Sequence, residues 1–161
     1  MSRFDHLFYL TSRLHARTDR FIQTRLNQHG LKGLVPSHGA ILSLLYQRGP
    51  MTMAALAEAI DRDRSTVTAL VEKLVRSGYV ARDPDPDDRR KTRVVLTEAS
   101  RPLKKPLLAI SSELRRTAFR DLDPEMLHRV MGVLERLIQN LDDEHVAADE
   151  RSARSTRNRK R

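Results

Sequence analysis

The sequence predicts a mainly α-helical fold that contains one small β-hairpin. In most of the 161-residue chain, apolar residues recur three and four positions apart, which is the spacing of one face of a helix. Two short β-prone runs, 79–82 and 93–96, bracket a charged segment that contains two prolines and four aspartates. A chain of this length can bury a hydrophobic core of its own.

Three long helices are predicted outside the centre of the chain. The first has neither proline nor glycine from 3 to 29 and carries an apolar residue at every seventh position. The other two cover 98–120 and the segment that follows Asp123-Pro124, a pair suited to begin a helix. Their apolar faces are too wide for a thin monomer. We therefore expect 1–33 and 98–145 to form a helical dimerisation region.

The centre of the chain, residues 34–97, has the pattern of a helix-turn-helix followed by a hairpin. Thr52 and Asp63 are good N-caps for two short helices, which are separated by about three polar residues. Apolar residues at 67, 70, 71 and 74 form one face of the second helix, and Ser77-Gly78 ends it. A helix-turn-helix with a charged hairpin is a winged helix-turn-helix, so we expect a DNA-binding domain here.

The positive charge of the chain is concentrated at its C-terminus. The formal net charge is +9, from 30 Lys+Arg against 21 Asp+Glu, but residues 151–161 hold six of the cations and no acid. Without those six the balance is 24 against 21, or +3, so the body of the protein is only mildly basic. We expect 146–161 to be a basic, disordered tail that either adds sequence-independent affinity for DNA or keeps the chain soluble.

Several classes of function are excluded by composition. Cysteine is absent, which excludes disulfides, iron–sulfur clusters and thiol-based redox sensing. No apolar run is long enough to span a membrane and no signal-peptide core is present, so we expect a cytoplasmic protein, associated with the nucleoid when bound to DNA. The six histidines show no metal-ligand spacing and no catalytic motif appears. We predict neither a metal site nor an enzyme.

A series of short motifs occurs in a recognisable order between residues 51 and 98. They are Met51-Thr52 through Leu56-Ala57, Asp63-Arg64-Ser65-Thr66-Val67-Thr68, Leu74 to Gly78 with Tyr79-Val80, then Arg82, Asp88-Arg89-Arg90 and Val94-Val95-Leu96-Thr97. Together they resemble the MarR (multiple antibiotic resistance) family of bacterial transcription regulators. The order of the long helices around them is also similar to that family.

The resemblance implies a homodimer that binds double-stranded DNA. The second helices of the two helix-turn-helix motifs would enter successive major grooves, and the hairpins, or wings, would reach the flanking minor grooves. A pseudo-palindromic operator with half-sites roughly 34–36 Å apart would match this arrangement. The resemblance also implies a repressor with no cofactor other than a small aromatic or phenolic effector. A second class stays open, a winged-helix module that binds protein or RNA without sequence-specific DNA binding.

Candidate DNA contacts lie on and just before the second helix of the helix-turn-helix: Arg62, Arg64, Ser65, Thr66, Thr68 and Ala69. Small hydroxyl residues near a helix N-terminus can approach bases or phosphates, although Ser65 and Thr66 can instead help cap the helix. Ala69 stands where the family often has arginine and offers only a methyl contact to thymine. Arg62 and Arg64 are candidates to replace that missing charge.

The wing supplies the remaining candidates: Arg82, Asp88, Arg89, Arg90 and Lys91. The narrow minor groove of A·T-rich DNA is electronegative and accepts an arginine from a hairpin tip. The resemblance assigns this insertion to Arg90 and the orientation of Arg90 to Asp88. Arg89 and Lys91 would contact phosphates, and Arg82 is either a phosphate contact or the salt-bridge partner of Asp88. The other three aspartates of the wing are expected to face away from DNA or to fix its turns.

The resemblance places an effector pocket between the dimer helices and the winged helix. The residues at matching places are Phe8, His15, His38 and Ile41. His38 follows Pro36-Ser37 at the predicted start of the second helix of the chain, where a histidine more often makes a structural hydrogen bond.

Two prolines interrupt the helix predicted after the wing. Pro102 and Pro106 occupy consecutive turns, and an interior proline costs a helix about 3 kcal/mol or more. This helix therefore either begins late or kinks at Pro106, and either outcome bears on the half-site spacing.

Overall fold

The computed structural model describes residues 4–86, 88 and 90–158, with side chains described as far as residue 144. The chain divides into two compact units, Met1–Ala118 and Phe119–Arg161. The first unit contains α1 (Asp5–Gln28), α2 (Pro36–Arg48), β1 (Met51–Thr52), α3 (Met53–Ala59), α4 (Arg64–Arg76), β2 (Val80–Pro84), β3 (Thr92–Leu96), a 3₁₀ helix (Glu98–Leu103) and α5 (Lys104–Ala118). The second contains α6 (Pro124–Asn158). Thus α1 and α5 share a unit with the winged helix, whereas the sequence-based division groups them with α6.

The predicted mainly α-helical winged fold is confirmed, and the helix-turn-helix begins at the predicted caps. The Thr52 side chain accepts a hydrogen bond from the backbone N–H of Ala55 at 3.2 Å, which fixes the start of α3. Asp63 does the same for α4 through the N–H of Thr66 at 2.9 Å. Each cap satisfies an N–H group that has no partner inside its helix.

The three strands form an antiparallel sheet in the order β1-β3-β2. β2 and β3 pair from Val80 opposite Leu96 to Pro84 opposite Thr92, which confirms the predicted hairpin. β1 pairs Met51 with Val94 and was not anticipated. Two residues are too few to show an alternating pattern, so the sequence carries no strand signal there.

The hydrophobic core of the first unit lies between α2, α4 and the sheet and extends to α1 and α5. It is built from aliphatic side chains that are almost fully buried, among them Leu26, Ile41, Leu42, Leu45, Leu56, Val67, Val71, Leu74, Val80, Val94, Leu107 and Ile110. Because residues of α4, β2 and β3 all contribute to this core, it fixes the position of α4 relative to the hairpin.

The two prolines after the wing are accommodated without a kinked α-helix. Pro102 lies in the 3₁₀ helix, and α5 begins at Lys104. Pro106 is therefore in the first turn of α5, where the backbone N–H has no intrahelical acceptor and its loss costs little. Of the two alternatives that the sequence leaves, a late start is the one observed.

The second unit is one long helix with an exposed apolar side. Asp123 caps α6 by accepting from the N–H groups of Glu125 and Met126, both at 3.2 Å, as the Asp123-Pro124 pair predicts. Six large apolar side chains of α6 are exposed: Met126, Val130, Met131, Val133, Ile138 and Leu141. Among the described residues, no helix is both long and apolar enough to cross a membrane.

The C-terminal segment differs from the expected disordered tail. Helix α6 continues to Asn158, so 146–158 is helical in its backbone. The physical reason is local, because α6 contains no glycine or proline after Gly132 and its last turns are rich in alanine, glutamate and arginine. The basic side chains of 151–161 lie outside the described residues.

Candidate nucleic-acid interface

Helix α4 turns one face into the core and presents the other to solvent. Val67, Val71 and Leu74 are fully buried, whereas Ser65, Ala69, Glu72, Lys73 and Arg76 are exposed, as the apolar spacing predicts. Thr66 and Thr68 are half-buried at the flanks. Arg62 and Arg64 are exposed just before and at the start of the helix. This exposed face is the part of α4 that can meet a ligand.

A compact hydrogen-bond network surrounds Asp63 at the start of α4. The Ser65 hydroxyl donates to Oδ1 at 2.5 Å, and the Thr66 hydroxyl donates to Oδ2 at 2.6 Å. These two hydroxyl bonds, with the backbone N–H of Thr66, hold the pKa of Asp63 well below its usual range. The capping role that the sequence offered for Ser65 and Thr66 is therefore present. Their hydroxyl hydrogens are engaged, which leaves their oxygens to act as acceptors toward a base amino group.

Thr68 is engaged in a similar way. Its hydroxyl donates to the carbonyl of Arg64, one turn earlier, at 2.7 Å. A phosphate oxygen can only accept, so a contact from this hydroxyl to phosphate would require that bond to break. Thr68 is better placed to accept a hydrogen bond or to make a methyl contact.

The tip of the wing is closed by backbone bonds and fixed by Asp88. The N–H of Asp85 donates to the carbonyl of Lys91 at 2.9 Å. The N–H of Lys91 donates to the carbonyl of Asp88 at 2.8 Å. Asp88 Oδ1 accepts from the backbone N–H and from Nε of Arg90, at 3.1 and 3.2 Å. The Lys91 ammonium lies 3.9 Å from the other oxygen of Asp88. The orientation of Arg90 by Asp88 thus has a geometric basis, while Arg89 lies outside the described residues.

The base of the wing holds a second acidic residue. The carboxylate of Asp85 is buried, with Oδ2 3.8 Å from Nε of Arg93 on β3. Asp85 therefore fixes a turn of the wing, which agrees with the prediction for the aspartates of this segment. Asp83 is exposed on β2, and Asp87 lies outside the described residues.

Arg82 contacts α4 rather than the tip of the wing. Its Nη2 lies 3.9 Å from Oε1 of Glu72, so the carboxylate that it faces belongs to Glu72. The alternative in which Arg82 pairs with Asp88 is therefore not observed. This contact could not be predicted from the sequence, because Glu72 and Arg82 lie on different elements.

Five of the predicted contact residues line one cleft of about 590 Å³ between α4 and the wing: Arg64, Thr68, Arg82, Arg90 and Lys91. We call it the α4–wing cleft. Its other lining residues, Thr52, Met53, Ala54 and Thr92, were missed by sequence reasoning. They come from β1, the start of α3 and the start of β3. The unrecognised pairing of β1 with β3 brings the first three residues to the cleft, and the β2–β3 hairpin brings Thr92. Arg62, Ser65, Thr66, Ala69 and Asp88 do not line it.

The four candidate effector residues are not brought together within the first unit. Phe8 and His15 are exposed on α1, and His15 Nε2 lies 3.6 Å from Asp19. Ile41 is fully buried in the core, so this structure does not expose it to a ligand. Phe8 is about five turns of α1 from the buried Leu26, or about 27 Å at 1.5 Å per residue. In a single chain, Phe8 is therefore remote from the core that holds Ile41.

His38 is buried at the start of α2 and has one nitrogen engaged. Its Nδ1 accepts from the backbone N–H of Val35 at 3.1 Å, which is the structural bond that the sequence offered as an alternative. Because Nδ1 accepts, Nε2 carries the hydrogen, and Nε2 is buried without a hydrogen-bond partner. Burial, with a smaller effect from the Lys73 charge, lowers the pKa of His38. The side chain is a neutral, unsatisfied donor.

A metal centre has no counterpart in the described part of the chain, where no group of three or more histidine, aspartate or glutamate side chains could hold an ion. The chemistry of the site is that of cationic and small polar side chains around an open cleft. A surface with clustered positive charge is suited to bind a polyanion such as a nucleic acid.

The chain is similar to known proteins along most of its length. The sequence model of the MarR family matches residues 34–92. The uncharacterized HTH-type transcriptional regulator YcgE of Bacillus subtilis is 32% identical over 112 residues, which are 70% of this chain and 73% of that protein. The HTH-type transcriptional repressor IacR of Pseudomonas putida is 26% identical over 138 residues, covering 86% and 81% of the two chains. A solved MarR transcriptional regulator from Methanosarcina mazei Go1 superposes with a TM-score of 0.70 at 26% identity, over 84% of this chain and 96% of that one.

Proposed function

Because this chain belongs to the MarR family of DNA-binding transcriptional regulators, we propose that it is a repressor that binds a pseudo-palindromic operator as a homodimer. The family and the relatives are regulators rather than enzymes, and they favour double-stranded DNA over protein or RNA as the partner. The observation that carries the proposal is the α4–wing cleft. A helix and a hairpin bring four cationic side chains together there: Arg64, Arg82, Arg90 and Lys91.

The proposed docking follows from the position of each cation. The exposed face of α4 enters the major groove, where Ser65 and Thr68 can accept from base amino groups and Ala69 can contact a thymine methyl. Arg64, Arg82 and Lys91 contact the phosphates beside it. Arg90, at the exposed tip of the wing, enters the minor groove. Asp88 binds only Nε of its guanidinium, which leaves the terminal nitrogens for the O2 and N3 acceptors of the groove.

The homodimer is supported by apolar surface in both units. In the first unit α1 exposes Phe8, Tyr9, Leu10 and Leu14, with Phe4 exposed at its N-cap, and in the second α6 exposes the six apolar residues named above. Large apolar side chains that cluster on one exposed helix often mark a protein–protein interface. Covering it with a second copy would give the two-fold symmetry that a pseudo-palindromic operator requires.

Regulation by a small aromatic or phenolic effector is supported by the Nε2–H of His38. A buried donor without a partner costs the fold free energy, and a carbonyl, carboxylate or phenolate oxygen would satisfy it. Of the four candidates, His38 is therefore the one with an unpaired polar atom, although it is as buried as Ile41, so a ligand can reach it only when the residues that cover it move. Phe8 and His15 can take part only as residues of an assembled dimer.

The experiment that tests DNA binding is fluorescence anisotropy of the full chain on two labelled duplexes of equal length. One carries the DNA upstream of its own gene, and the other is the same sequence scrambled. We expect preference for the upstream duplex, a stoichiometry of two chains per duplex, and sedimentation of the free protein at twice the 18.5 kDa of one chain. Equal affinity for both duplexes, with weak binding, would contradict the proposal for that DNA.

The effector is tested on the same complex with benzoate, 4-hydroxybenzoate and phenol as probes. We expect at least one of them to release the upstream duplex from the wild-type protein, and His38→Gln to weaken that release. Release that is equal in His38→Gln would place the effector elsewhere, and no release by any probe would count against this class of effector.

A further inference from the structure

Glu72 places a carboxylate on the face of α4 that otherwise presents small and cationic side chains. It lies on the same exposed stripe as Ser65, Ala69 and Arg76, at helical spacings of four, three and four residues. It is also the one acidic residue in the sequence of α4. An acidic side chain on a surface that binds DNA lowers the affinity for DNA. A compensating role is therefore expected for Glu72.

The contact between Glu72 and Arg82 supplies one. Glu72 Oε1 lies 3.9 Å from Nη2 of Arg82 on β2, and the two side chains are 50% and 39% exposed. Arg82 also lines the α4–wing cleft. An ion pair this open to water is weak, so a phosphate that approaches the cleft can take Arg82 away from Glu72.

We propose that Glu72 is a specificity-determining residue that weakens binding to DNA of arbitrary sequence more than binding to the operator. The inference rests on the proposed function, because it takes α4 as the helix that enters the major groove. Glu72 acts in two ways, as the partner of Arg82 in the free protein and as a charge on the DNA-facing surface.

In a complex with arbitrary DNA, both effects oppose binding. Such a complex is held by phosphate contacts and carries no base readout. Arg82 can contact a phosphate only when its ion pair with Glu72 breaks. One ion pair then replaces another, and the net gain in binding free energy is small. The released carboxylate is then left facing phosphates of the same sign. Arbitrary DNA thus gains little from Arg82 and is repelled by Glu72.

In the operator complex, the same carboxylate acquires a partner. When α4 is seated in the major groove, its exposed stripe faces base edges, and the amino groups of cytosine N4 and adenine N6 are donors there. Glu72 can accept from such a group, while Arg82 is released to the backbone. The charge of Glu72 therefore lowers the affinity for arbitrary DNA more than the affinity for the operator. This raises the ratio of operator affinity to arbitrary-DNA affinity.

The test compares wild type with Glu72→Gln, which removes the charge and keeps the size of the side chain. The full chain is titrated by anisotropy onto the duplex that the wild type selects from a randomised pool, and onto a scrambled duplex of the same length. We expect affinity for the scrambled duplex to rise about 3- to 10-fold, with a steeper dependence on salt. Affinity for the selected duplex should change by less, so that the specificity ratio falls at least about 3-fold.

Two further variants separate this role from a general effect of charge. Glu58→Gln removes an exposed carboxylate from α3 and should leave the specificity ratio unchanged. Adding Arg82→Gln to Glu72→Gln should remove only the part of the gain that comes from the phosphate contact of Arg82, so the scrambled-duplex affinity should fall between those of Glu72→Gln and the wild type. An equal rise on both duplexes in Glu72→Gln would overturn the inference while leaving the proposed function intact. A wild-type protein that selects no duplex would overturn both.

Discussion

One carboxylate oxygen of Asp88 accepts hydrogen bonds from both the backbone N–H and the side-chain Nε of Arg90, at 3.1 and 3.2 Å. The Arg90 side chain is 92% exposed, so these bonds are its main restraint. Because both bonds end on one atom, they bias the guanidinium toward one orientation relative to the turn that carries it. A side chain that is already oriented loses less conformational entropy when it enters a groove.

Replacing the inserted arginine should weaken DNA binding strongly. Arg90→Ala removes both the minor-groove contact and one positive charge, so we expect a loss of about 1–3 kcal/mol, or roughly 5- to 150-fold in Kd. The slope of log K against log salt should fall by about one unit. Anisotropy at several salt concentrations measures both, with Lys105→Ala, an exposed cation outside the α4–wing cleft, as the control.

Asp88→Asn tests the orienting role separately. The amide keeps the shape of the side chain but weakens the charge-assisted bond to Nε, so we expect a smaller loss of affinity than in Arg90→Ala. Since Asp88 acts through Arg90, the substitution should have little further effect in the Arg90→Ala background. Full additivity of the two changes would show that Asp88 does not act by positioning Arg90.

The cap at Asp63 predicts a pH-dependent contribution to stability. Asp63→Ala removes the acceptor of three hydrogen bonds, so the Tm should fall by about 2–4 °C at neutral pH. The pKa of Asp63 is lowered in the folded state from 3.8, so its contribution is complete above that pH and is lost as the pH falls through the folded-state value. The Tm difference between wild type and Asp63→Ala should stay constant from pH 8 to 5 and shrink below about 3.8. Glu58→Ala, which removes an exposed acid from α3, is the control, and a difference that does not vary down to pH 2 would contradict the role of the charge.

The caps were predictable because each depends on a few neighbouring residues. Thr52, Asp63 and Asp123 each precede an apolar periodic segment, and glycine ends α1 at Gly30, whose φ of +73° disfavours other residues. The apolar spacing of α4 likewise determined which face became exposed. The wing motif predicted that Asp88 orients Arg90, and in the structure Asp88 accepts two hydrogen bonds from Arg90.

The features that were not predictable depend on pairs far apart in sequence. β1 is a strand only because Met51 and Thr52 pair with β3, and that pairing brings Thr52 and Met53 to the α4–wing cleft. The contact of Glu72 with Arg82 likewise depends on how β2 packs against α4. The charge of the C-terminal segment suggested disorder, but its helix-forming residues continue a helix that begins at Pro124.

An ion pair between α1 and α5 predicts a stability effect away from the DNA surface. Nε and Nη2 of Arg25 both contact Oε1 of Glu113, at 2.8 and 2.6 Å, and these side chains are only 27% and 29% exposed. The Arg25 guanidinium also lies over the ring of Phe21, 4.6 Å from its centroid. We expect Glu113→Gln to lower the free energy of unfolding by about 1–2 kcal/mol and the Tm by about 2–8 °C.

A matched control for this pair is available on the 3₁₀ helix. Glu98 and Arg101 lie 3.0 Å apart but are 83% and 77% exposed, so Glu98→Gln should change the stability by no more than about 0.5 kcal/mol. Thermal unfolding of both variants at the same chain concentration makes the comparison, because dimerisation makes the Tm depend on concentration. Equal effects of the two substitutions would show that burial does not strengthen the Arg25–Glu113 pair.

His38 predicts that stability falls as the solution becomes mildly acidic. Burial lowers its pKa in the folded chain, whereas the unfolded chain binds a proton near the ordinary value of 6.5. As the pH falls through 6.5, the unfolded state takes up a proton that the folded state resists, so stability is present above 6.5 and decreases below it. His38→Gln removes this titration and keeps an oxygen that can accept from Val35 N–H, so the variant should be less stable at pH 8 but vary less between pH 8 and 5.5. Urea unfolding of both proteins across this range measures the difference, and parallel pH profiles would show that His38 is protonated as readily in the folded chain as in the unfolded one.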